Sequence, residues 1–290
     1  MNKKNQIDFE QVIPTAWMVA YRRTFTDIPF SREIFKKLEE IRKRNNYKKI
    51  PAYLKKPELS PQIEARFKLI DKLIYKHGCN QILELAAGFS SRGLSMSIKD
   101  GFNYVEVDLP RVIKEKKQIV KEIGIDKKIK IPKNLHFVQG NVLDFVTFEK
   151  TTKYFDKSQP LIIIHEGLLR YLTKEEKAKV AKNIYKILKQ FNGVWITSDI
   201  SLRRIFRQEN KVMNKYVEQV SKLTGKNIIA NRFETEGEAR KFFENLGFSI
   251  KRYSFMEVYN ELTSPKKLKL SERQTKEAVE GTVVFVMKPI

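Results

Sequence analysis

Two residues that lie twenty positions apart, Gly88 and Asp108, have the types and spacing of a nucleoside-binding site. Gly88 belongs to a turn of small residues that follows the apolar run 82–85, and Asp108 directly follows the apolar run 104–107. A glycine in such a turn lets a ligand approach the backbone, and an acidic residue at this distance can accept hydrogen bonds from two ribose hydroxyls. The pattern predicts a nucleoside bound where two neighbouring strands end.

The turn does not have the glycine spacing that a diphosphate requires. Dinucleotide sites use G-x-G-x-x-G, because a pyrophosphate must lie against backbone amides at a helix N-terminus. Here residues 87–93 are AGFSSRG, and Phe89 and Ser90 would crowd a diphosphate. A nucleoside without phosphate needs only one close approach to the backbone, which favours a ligand such as S-adenosylmethionine. Glu84 is predicted to orient the turn or to contact the amino group of that ligand.

The elements that must position these residues alternate between strand and helix. Seven segments have the composition of strands: 82–85, 104–107, 135–138, 161–164, 194–197, 248–253 and 282–287. Helical patterns separate the first five, which is typical of parallel strands joined by right-handed crossovers. The sequence therefore predicts an α/β fold with a doubly wound, seven-stranded, mostly parallel sheet, in which the loops after the first two strands lie side by side.

Two helical regions lie outside this alternation. Residues 1–60 contain no glycine and are interrupted by prolines, so they are predicted to form a helical cap on a nucleoside-binding domain at 61–290. A basic helical pattern near 201–230 predicts an insertion over the carboxyl edge of the sheet. Gly124 is expected to end the helix after the second strand, and residues 266–269 are expected to form a lysine-rich loop.

The composition is that of a globular protein. The chain has 290 residues, 41 % of them hydrophobic, and no apolar run approaches the ~20 residues that span a membrane. Cys79 is the single cysteine, and no cluster of histidine, aspartate and glutamate has the spacing of a metal site. The N-terminus lacks the apolar region of a signal peptide. We therefore expect a cytoplasmic protein with no membrane partner and no metal.

The net charge of +23 invites a nucleic-acid hypothesis. The excess consists mainly of lysines spread over nearly every predicted helix, whereas nucleic-acid readers more often concentrate arginine and aromatic residues on one element. A solvated, lysine-rich surface is the favoured interpretation. A face that binds polyanions is the less favoured alternative.

Several segments occur in an order that is typical of one family. They are YRR (21–23), ARFKLID (65–71), LELAAGFSSR (83–92), VEVDLP (105–110) and HEGLLRYL (165–172). Together they resemble the leucine carboxyl methyltransferase family of class I S-adenosylmethionine-dependent methyltransferases, which includes carboxyl O-methyltransferases of polyketide biosynthesis. The family more usually has aspartate where this chain has Ser90.

The resemblance implies a set of residues that bind S-adenosylmethionine: Arg66, Glu84, Ala86, Gly88, Asp108, Leu109, Asn141, Val142 and Glu166. Among them, Arg66 is expected to hold the cofactor carboxylate, Asp108 the ribose, and Glu166 to face the cofactor near the reaction centre. Asn141 and Val142 fall where the family usually has Asp-Leu beside the adenine. Asparagine keeps an acceptor at this position but removes the charge.

The resemblance also implies an O-methyltransferase, most simply acting on a carboxylate of a small molecule or of a protein C-terminus. A carboxyl group is ionised at neutral pH and needs no general base, but a cation or hydroxyl must hold it. Arg23, Arg170 and Tyr171 are the candidates. A hydroxyl acceptor would benefit from a base, and His165 is the histidine nearest to these motifs.

Two further alternatives stay open at this point. A nucleic-acid methyltransferase would explain the charge, but the fourth strand is not followed by the Asn/Asp-Pro-Pro-aromatic motif of enzymes that methylate base amino groups. A non-catalytic protein that retains the fold is the other alternative. The intact glycine and aspartate of the cofactor motif argue against it.

Overall fold

The computed structural model describes residues 10–200 and 211–290. Its strands are β1 (Gln81–Leu85), β2 (Asn103–Asp108), β3 (Leu135–Gln139), β4 (Ile162–His165), β5 (Val194–Thr197), β6 (Phe248–Ser254) and β7 (Val283–Pro289). They form a seven-stranded sheet in the order β3-β2-β1-β4-β5-β7-β6. The first five strands are parallel, and β7 runs antiparallel to β5 and β6. The predicted α/β fold with a mostly parallel sheet is therefore confirmed.

The strand order reverses between β1 and β4, and this is where ligands bind in doubly wound sheets. Leu85, the last residue of β1, pairs with Val107 on one side and with His165 on the other. The carboxyl ends of three strands therefore meet at one edge. These strand ends and the loops that follow them carry most of the residues predicted to bind the cofactor.

Some helices precede the sheet in the chain, and the others lie between its strands in sequence. In the described residues the α-helices are α1 (Ile13–Arg23), α2 (Ser31–Arg44), α3 (Ala52–Lys55), α4 (Ser60–His77), α5 (Arg92–Lys99), α6 (Pro110–Lys127), α7 (Phe145–Thr152), α8 (Lys174–Phe191), α9 (Lys211–Thr224), α10 (Glu236–Glu244), α11 (Ser264–Leu268) and α12 (Glu272–Val279). Helices α1 to α3 are the described part of the predicted cap. Residues 1–9 of the cap and 201–210 of the predicted insertion lie outside the described residues.

The cap contacts the cofactor turn directly. Trp17 of α1 packs edge-on against Phe89, one residue after Gly88, with ring centroids 6.3 Å apart. Both aromatic side chains are at most 5 % exposed. Phe89 therefore joins the turn to the cap, which explains an aromatic residue at a position where a phosphate-binding loop has small ones.

Two local predictions were wrong. Gly124 does not end α6, because the helix continues to Lys127; a Cβ at Gly124 would lie 3.0 Å from the Ile129 carbonyl oxygen, so the glycine permits close packing there. Residues 266–269 do not form a loop, since most of them belong to α11. The buried carboxylate of Glu64 accepts hydrogen bonds from the backbone of Thr263 and Ser264 and so fixes the start of α11.

Apolar side chains cover both faces of the sheet. The strand residues Ile82, Ile164 and Ile196 belong to the core on one face, and Leu83, Ile163 and Trp195 belong to the core on the other. A third, smaller cluster lies between the cap and α9. In the described ranges, no helix combines the length and the apolar character needed to traverse a bilayer.

Candidate cofactor and acceptor site

The two residues with nucleoside-binding spacing are in direct contact. Asp108 accepts hydrogen bonds from the backbone N–H of Gly88 at 2.6 Å and from that of Leu109 at 2.7 Å. Ala86 and Gly88 both have left-handed φ, at 50° and 52°, a conformation that glycine adopts at little cost. The turn after β1 is thus held against the end of β2 by one carboxylate. Burial raises the pKa of Asp108 to about 6, although the two N–H groups oppose the shift.

The end of β3 extends the same surface. Asp108 pairs with Gln139 in the sheet, and Asn141 and Val142 follow two and three residues later. The Asn141 side-chain oxygen accepts a hydrogen bond from the Leu143 N–H at 3.0 Å. That oxygen therefore orders its own turn, and the family's aspartate would offer a second oxygen that asparagine lacks.

A cluster of buried charges lies on the other side of the turn. The Glu166 side chain is 5 % exposed and contacts three arginines, which we call the arginine cluster: Arg23 at 3.1 Å, Arg66 at 2.5 Å and Arg92 at 2.6 Å. Burial by itself would raise the pKa of Glu166, but the positive charges of the arginine cluster outweigh it and hold this pKa well below its usual range. Glu166 is therefore ionised at neutral pH.

Arg92 is the member of the arginine cluster to which no role was assigned from sequence. It is fully buried, pairs with Asp71 at 2.6 Å and Glu84 at 3.2 Å, and lies over the Phe67 ring. Glu84 also accepts a hydrogen bond from the Tyr104 hydroxyl at 2.8 Å. The three arginines are thus matched by three carboxylates. Glu84 serves both as a partner of Arg92 and as a residue that lines the site.

All residues predicted to bind the cofactor or the acceptor line one cavity of about 290 Å³. They are Arg23, Arg66, Glu84, Ala86, Gly88, Asp108, Leu109, Asn141, Val142, Glu166, Arg170 and Tyr171. The cavity runs along the ends of β3, β2, β1 and β4 and then continues beneath the cap and α9. The cavity therefore connects the predicted cofactor residues with the predicted acceptor residues.

The part beneath the cap and α9 is mainly apolar, and we call it the acceptor chamber. Its walls include buried side chains of the third apolar cluster: Met18, Tyr171, Val217, Val220 and Ile228. Arg22 joins the two elements, donating to the Tyr216 hydroxyl at 2.7 Å and to the Leu54 carbonyl at 3.1 Å. These segments are distant in sequence, and no local motif marks them.

Three of the polar side chains that face this chamber are the predicted acceptor-binding residues. The Arg23 Nε atom is buried and has no hydrogen-bond partner among the described residues. The Arg170 side chain is 36 % exposed, and its Nη2 lies 3.9 Å from Asp199. Burial raises the pKa of Tyr171, so its hydroxyl stays protonated and can donate a hydrogen bond at neutral pH.

His165 does not line the cavity. Its side chain is fully buried, and its Nδ1 lies 3.0 Å from the Asp199 carboxylate. The structure thus assigns His165 a place behind the loop that follows β4, where it cannot reach a hydroxyl acceptor. Asp199, its partner, is a residue that the sequence patterns did not indicate.

The comparisons with known proteins agree with this geometry. The family model for leucine carboxyl methyltransferase matches residues 22–185, more than half of the chain. No curated protein sequence matches the chain significantly.

Similarity to solved structures extends over nearly the whole chain. A DUF574 family protein from Streptomyces avermitilis is 13 % identical, with 94 % of this chain and 97 % of that chain covered and a TM-score of 0.53. Magnesium protoporphyrin IX methyltransferase from Synechocystis, determined with bound SAH, is 11 % identical, with 87 % and 95 % covered and a TM-score of 0.51. A candidate O-methyltransferase from Nostoc punctiforme is 13 % identical over 80 % of this chain, which spans 60 % of that protein's length, with a TM-score of 0.46.

The two structures with TM-scores above 0.5 share the fold. The family match covers the last two residues of α1, helices α2 and α3, the cofactor turn and the loop after β4. The chain belongs to the leucine carboxyl methyltransferase family and is an S-adenosylmethionine-dependent methyltransferase.

Proposed function

We propose that the enzyme transfers a methyl group to a carboxylate oxygen, on a small molecule or on a protein C-terminus. The observation that carries this proposal is the chemistry of the lining: among the described residues that face the cavity there are arginines but no histidine. The carboxylates that line it, Glu84, Asp108 and Glu166, already hold arginine or backbone N–H groups. A hydroxyl acceptor would need a base that this lining does not supply, whereas an ionised carboxylate needs none.

The residues at the strand ends fit the groups of S-adenosylmethionine. We propose that Asp108 accepts from the ribose hydroxyls, and that Ala86 and Gly88 allow the ligand to approach the backbone. Leu109, Asn141 and Val142 would surround the adenine. When bound, the cofactor would supply a methyl group activated by a positively charged sulfonium.

The arginine cluster fits the amino-acid end of the same ligand. Arg66 uses its Nε for Glu166, which leaves further N–H donors of its guanidinium for a carboxylate. Glu84 and Glu166 are ionic acceptors for an ammonium group. Because the cluster is nearly neutral and buried, it can hold a zwitterion without leaving an excess charge in a low-dielectric site.

The acceptor chamber provides the second half of the reaction. Arg23 and Arg170 would hold the acceptor carboxylate, with Tyr171 as an additional hydrogen-bond donor. Transfer would form an O–CH₃ bond to the acceptor carboxylate as the S–CH₃ bond of the sulfonium breaks, leaving a neutral ester and a neutral thioether. A site that excludes water favours such a loss of charge. The neutral product no longer pairs with the arginines, which promotes its release.

We also propose that the cap at 1–60 and the segment near 201–230 shape the pocket that binds the methyl acceptor. The described parts of both, α1 and α9, already contribute walls of the chamber. No lysine lines the cavity in the part of the chain that the structure describes. The lysine-rich surface therefore lies outside the site, which argues against nucleic acid as the methyl acceptor.

Transfer of a labelled methyl group from S-adenosylmethionine tests this function. Apolar carboxylic acids and peptides with a free C-terminus would be compared with the matched primary alcohols and amides. We expect label in the acids only, and mild alkali should release it as methanol because esters hydrolyse. A labelled product that survives alkali, or labelling of the alcohols, would contradict a carboxyl acceptor.

A further inference from the structure

We propose that Asp199 is a positioning residue that sets the loop after β4, residues 166–171, in the conformation required for cofactor binding. One oxygen of its carboxylate accepts from the Gly167 N–H at 2.7 Å. The other oxygen accepts from the N–H groups of Leu168 at 2.5 Å and Leu169 at 3.1 Å. A single side chain thus satisfies three consecutive backbone donors of the loop that carries Glu166, Arg170 and Tyr171.

Asp199 is itself held rigidly at the neighbouring strand. It is 1 % exposed and follows the end of β5, where Thr197 pairs with His165 in the sheet. Its backbone N–H donates to the Thr197 hydroxyl at 3.0 Å, and its carboxylate lies 3.0 Å from His165 Nδ1. The loop after β4 is therefore anchored to β5 through one buried carboxylate.

This anchor lies directly beside the arginine cluster. Glu166 stands between His165 and Gly167, both of which contact Asp199, and its own carboxylate contacts three arginines. Gly167 has a left-handed φ of 76°, so the chain turns sharply at this point. A change in the hydrogen bonds at Asp199 would move Glu166 relative to Arg66 and Arg23.

Asparagine cannot replace this aspartate, although it has nearly the same shape. Both carboxylate oxygens accept from backbone N–H groups, and asparagine offers one oxygen and one NH₂ group, which is a donor. Its NH₂ would face a backbone N–H and force the loop to shift. Asp199→Asn is therefore a small change in volume and a large change in hydrogen bonding.

A double-mutant cycle on cofactor affinity tests the proposal, which rests on the proposed role of Glu166 in the cofactor site. S-adenosylmethionine binding would be measured by calorimetry for Asp199→Asn, Glu166→Gln and the double variant. We expect each single variant to weaken binding about tenfold or more. The double variant should bind the cofactor about as weakly as whichever single variant binds it less tightly, because the free-energy effects of two residues that act as one unit do not add.

A matched control separates positioning from a general loss of stability. Glu106 of β2 is also a buried carboxylate. It is paired with Lys116 at 2.5 Å, and it does not line the cavity. Glu106→Gln should lower the melting temperature without changing cofactor affinity. If Asp199→Asn does not fold, Thr197→Val gives a milder test in the same cycle, since it removes only the hydroxyl that holds Asp199.

The possible failures are distinct. Unchanged affinity in Glu166→Gln would overturn the proposed cofactor role of Glu166 and, with it, the coupling. Two other results would overturn the positioning role of Asp199 alone, provided that Glu166→Gln binds S-adenosylmethionine more weakly. One is normal cofactor affinity in Asp199→Asn, and the other is a double variant whose loss of affinity equals the sum of the two single losses.

Discussion

The two halves of the cavity are built in opposite ways. The cofactor half consists of charged groups buried at the ends of adjacent parallel strands, where Glu166, Glu84 and Asp71 balance three arginines. The acceptor chamber is lined mainly by apolar side chains contributed by the cap, the loop after β4 and α9. The first half depends on exact partners, and the second depends on volume and shape.

This difference predicts which property a substitution in each half should change. Removing one member of a buried ionic network leaves its partners uncompensated and costs several kcal/mol. Apolar walls tolerate changes of shape at a lower cost. Variants in the cofactor half should therefore affect stability and cofactor affinity, whereas variants in the acceptor chamber should affect the acceptor and leave the cofactor site intact.

The largest effect is expected for Arg92→Ala. Arg92 is fully buried and contacts Asp71, Glu84 and Glu166, so its loss leaves three carboxylates close together. We expect the free energy of unfolding, measured with urea, to fall by about 3–5 kcal/mol. Arg273→Ala is the control, because Arg273 is 88 % exposed and exposed ion pairs contribute little. Equal stability of the two variants would mean that the buried ion pairs do not stabilise the cofactor half.

A smaller effect, on affinity, is expected for Asp108→Ala. The variant removes the carboxylate proposed to accept from the ribose, and hydrogen bonds to a charged group are worth roughly 1.5–3 kcal/mol. Calorimetry should therefore show that S-adenosylmethionine binds about tenfold to a hundredfold more weakly. Asp144→Ala, at an exposed position outside the cavity, should bind normally. Unchanged affinity in Asp108→Ala would mean that the ribose lies elsewhere.

The pH dependence of binding should report the same carboxylate. Burial raises the pKa of Asp108 to about 6, and the ionised form is the one that accepts two hydroxyl donors. Affinity should therefore be nearly constant above pH 7 and fall as the pH drops below 6, by about tenfold per unit for one proton. The pKa of Asp71 is also raised to about 6, so Asp71→Asn should keep this dependence and Asp108→Asn should lose it. A dependence that survives in Asp108→Asn would assign it to another group.

The same contrast explains what could be predicted from sequence. Gly88 and Asp108 are twenty residues apart, their strands are adjacent, and alternating apolar runs mark both strands. The sheet and the cofactor turn therefore follow from local patterns. The strands β6 and β7 were also predicted, because the pattern of apolar residues and the composition of a segment suffice to indicate a strand.

The residues that sequence patterns did not indicate act through distant partners. Arg92 belongs to the cofactor motif, but its role depends on Asp71 and Glu166, which lie on other elements. Asp199 has no motif of its own and acts on a loop some thirty residues earlier. Glu64 fixes a helix start about two hundred residues later. In each case a buried charge finds its partner only in the folded chain.

The smallest expected effect tests whether the two halves are independent. Tyr216 lies on α9 and accepts from Arg22, which also donates to the backbone of Leu54 and Lys55. Tyr216→Phe removes one of these three acceptors, so urea unfolding should show a loss of about 0.5–1.5 kcal/mol. Cofactor affinity by calorimetry should stay unchanged, because this contact joins only the walls of the acceptor chamber. A weaker cofactor complex in Tyr216→Phe would mean that α9 closes over both halves and that the cavity responds as one unit.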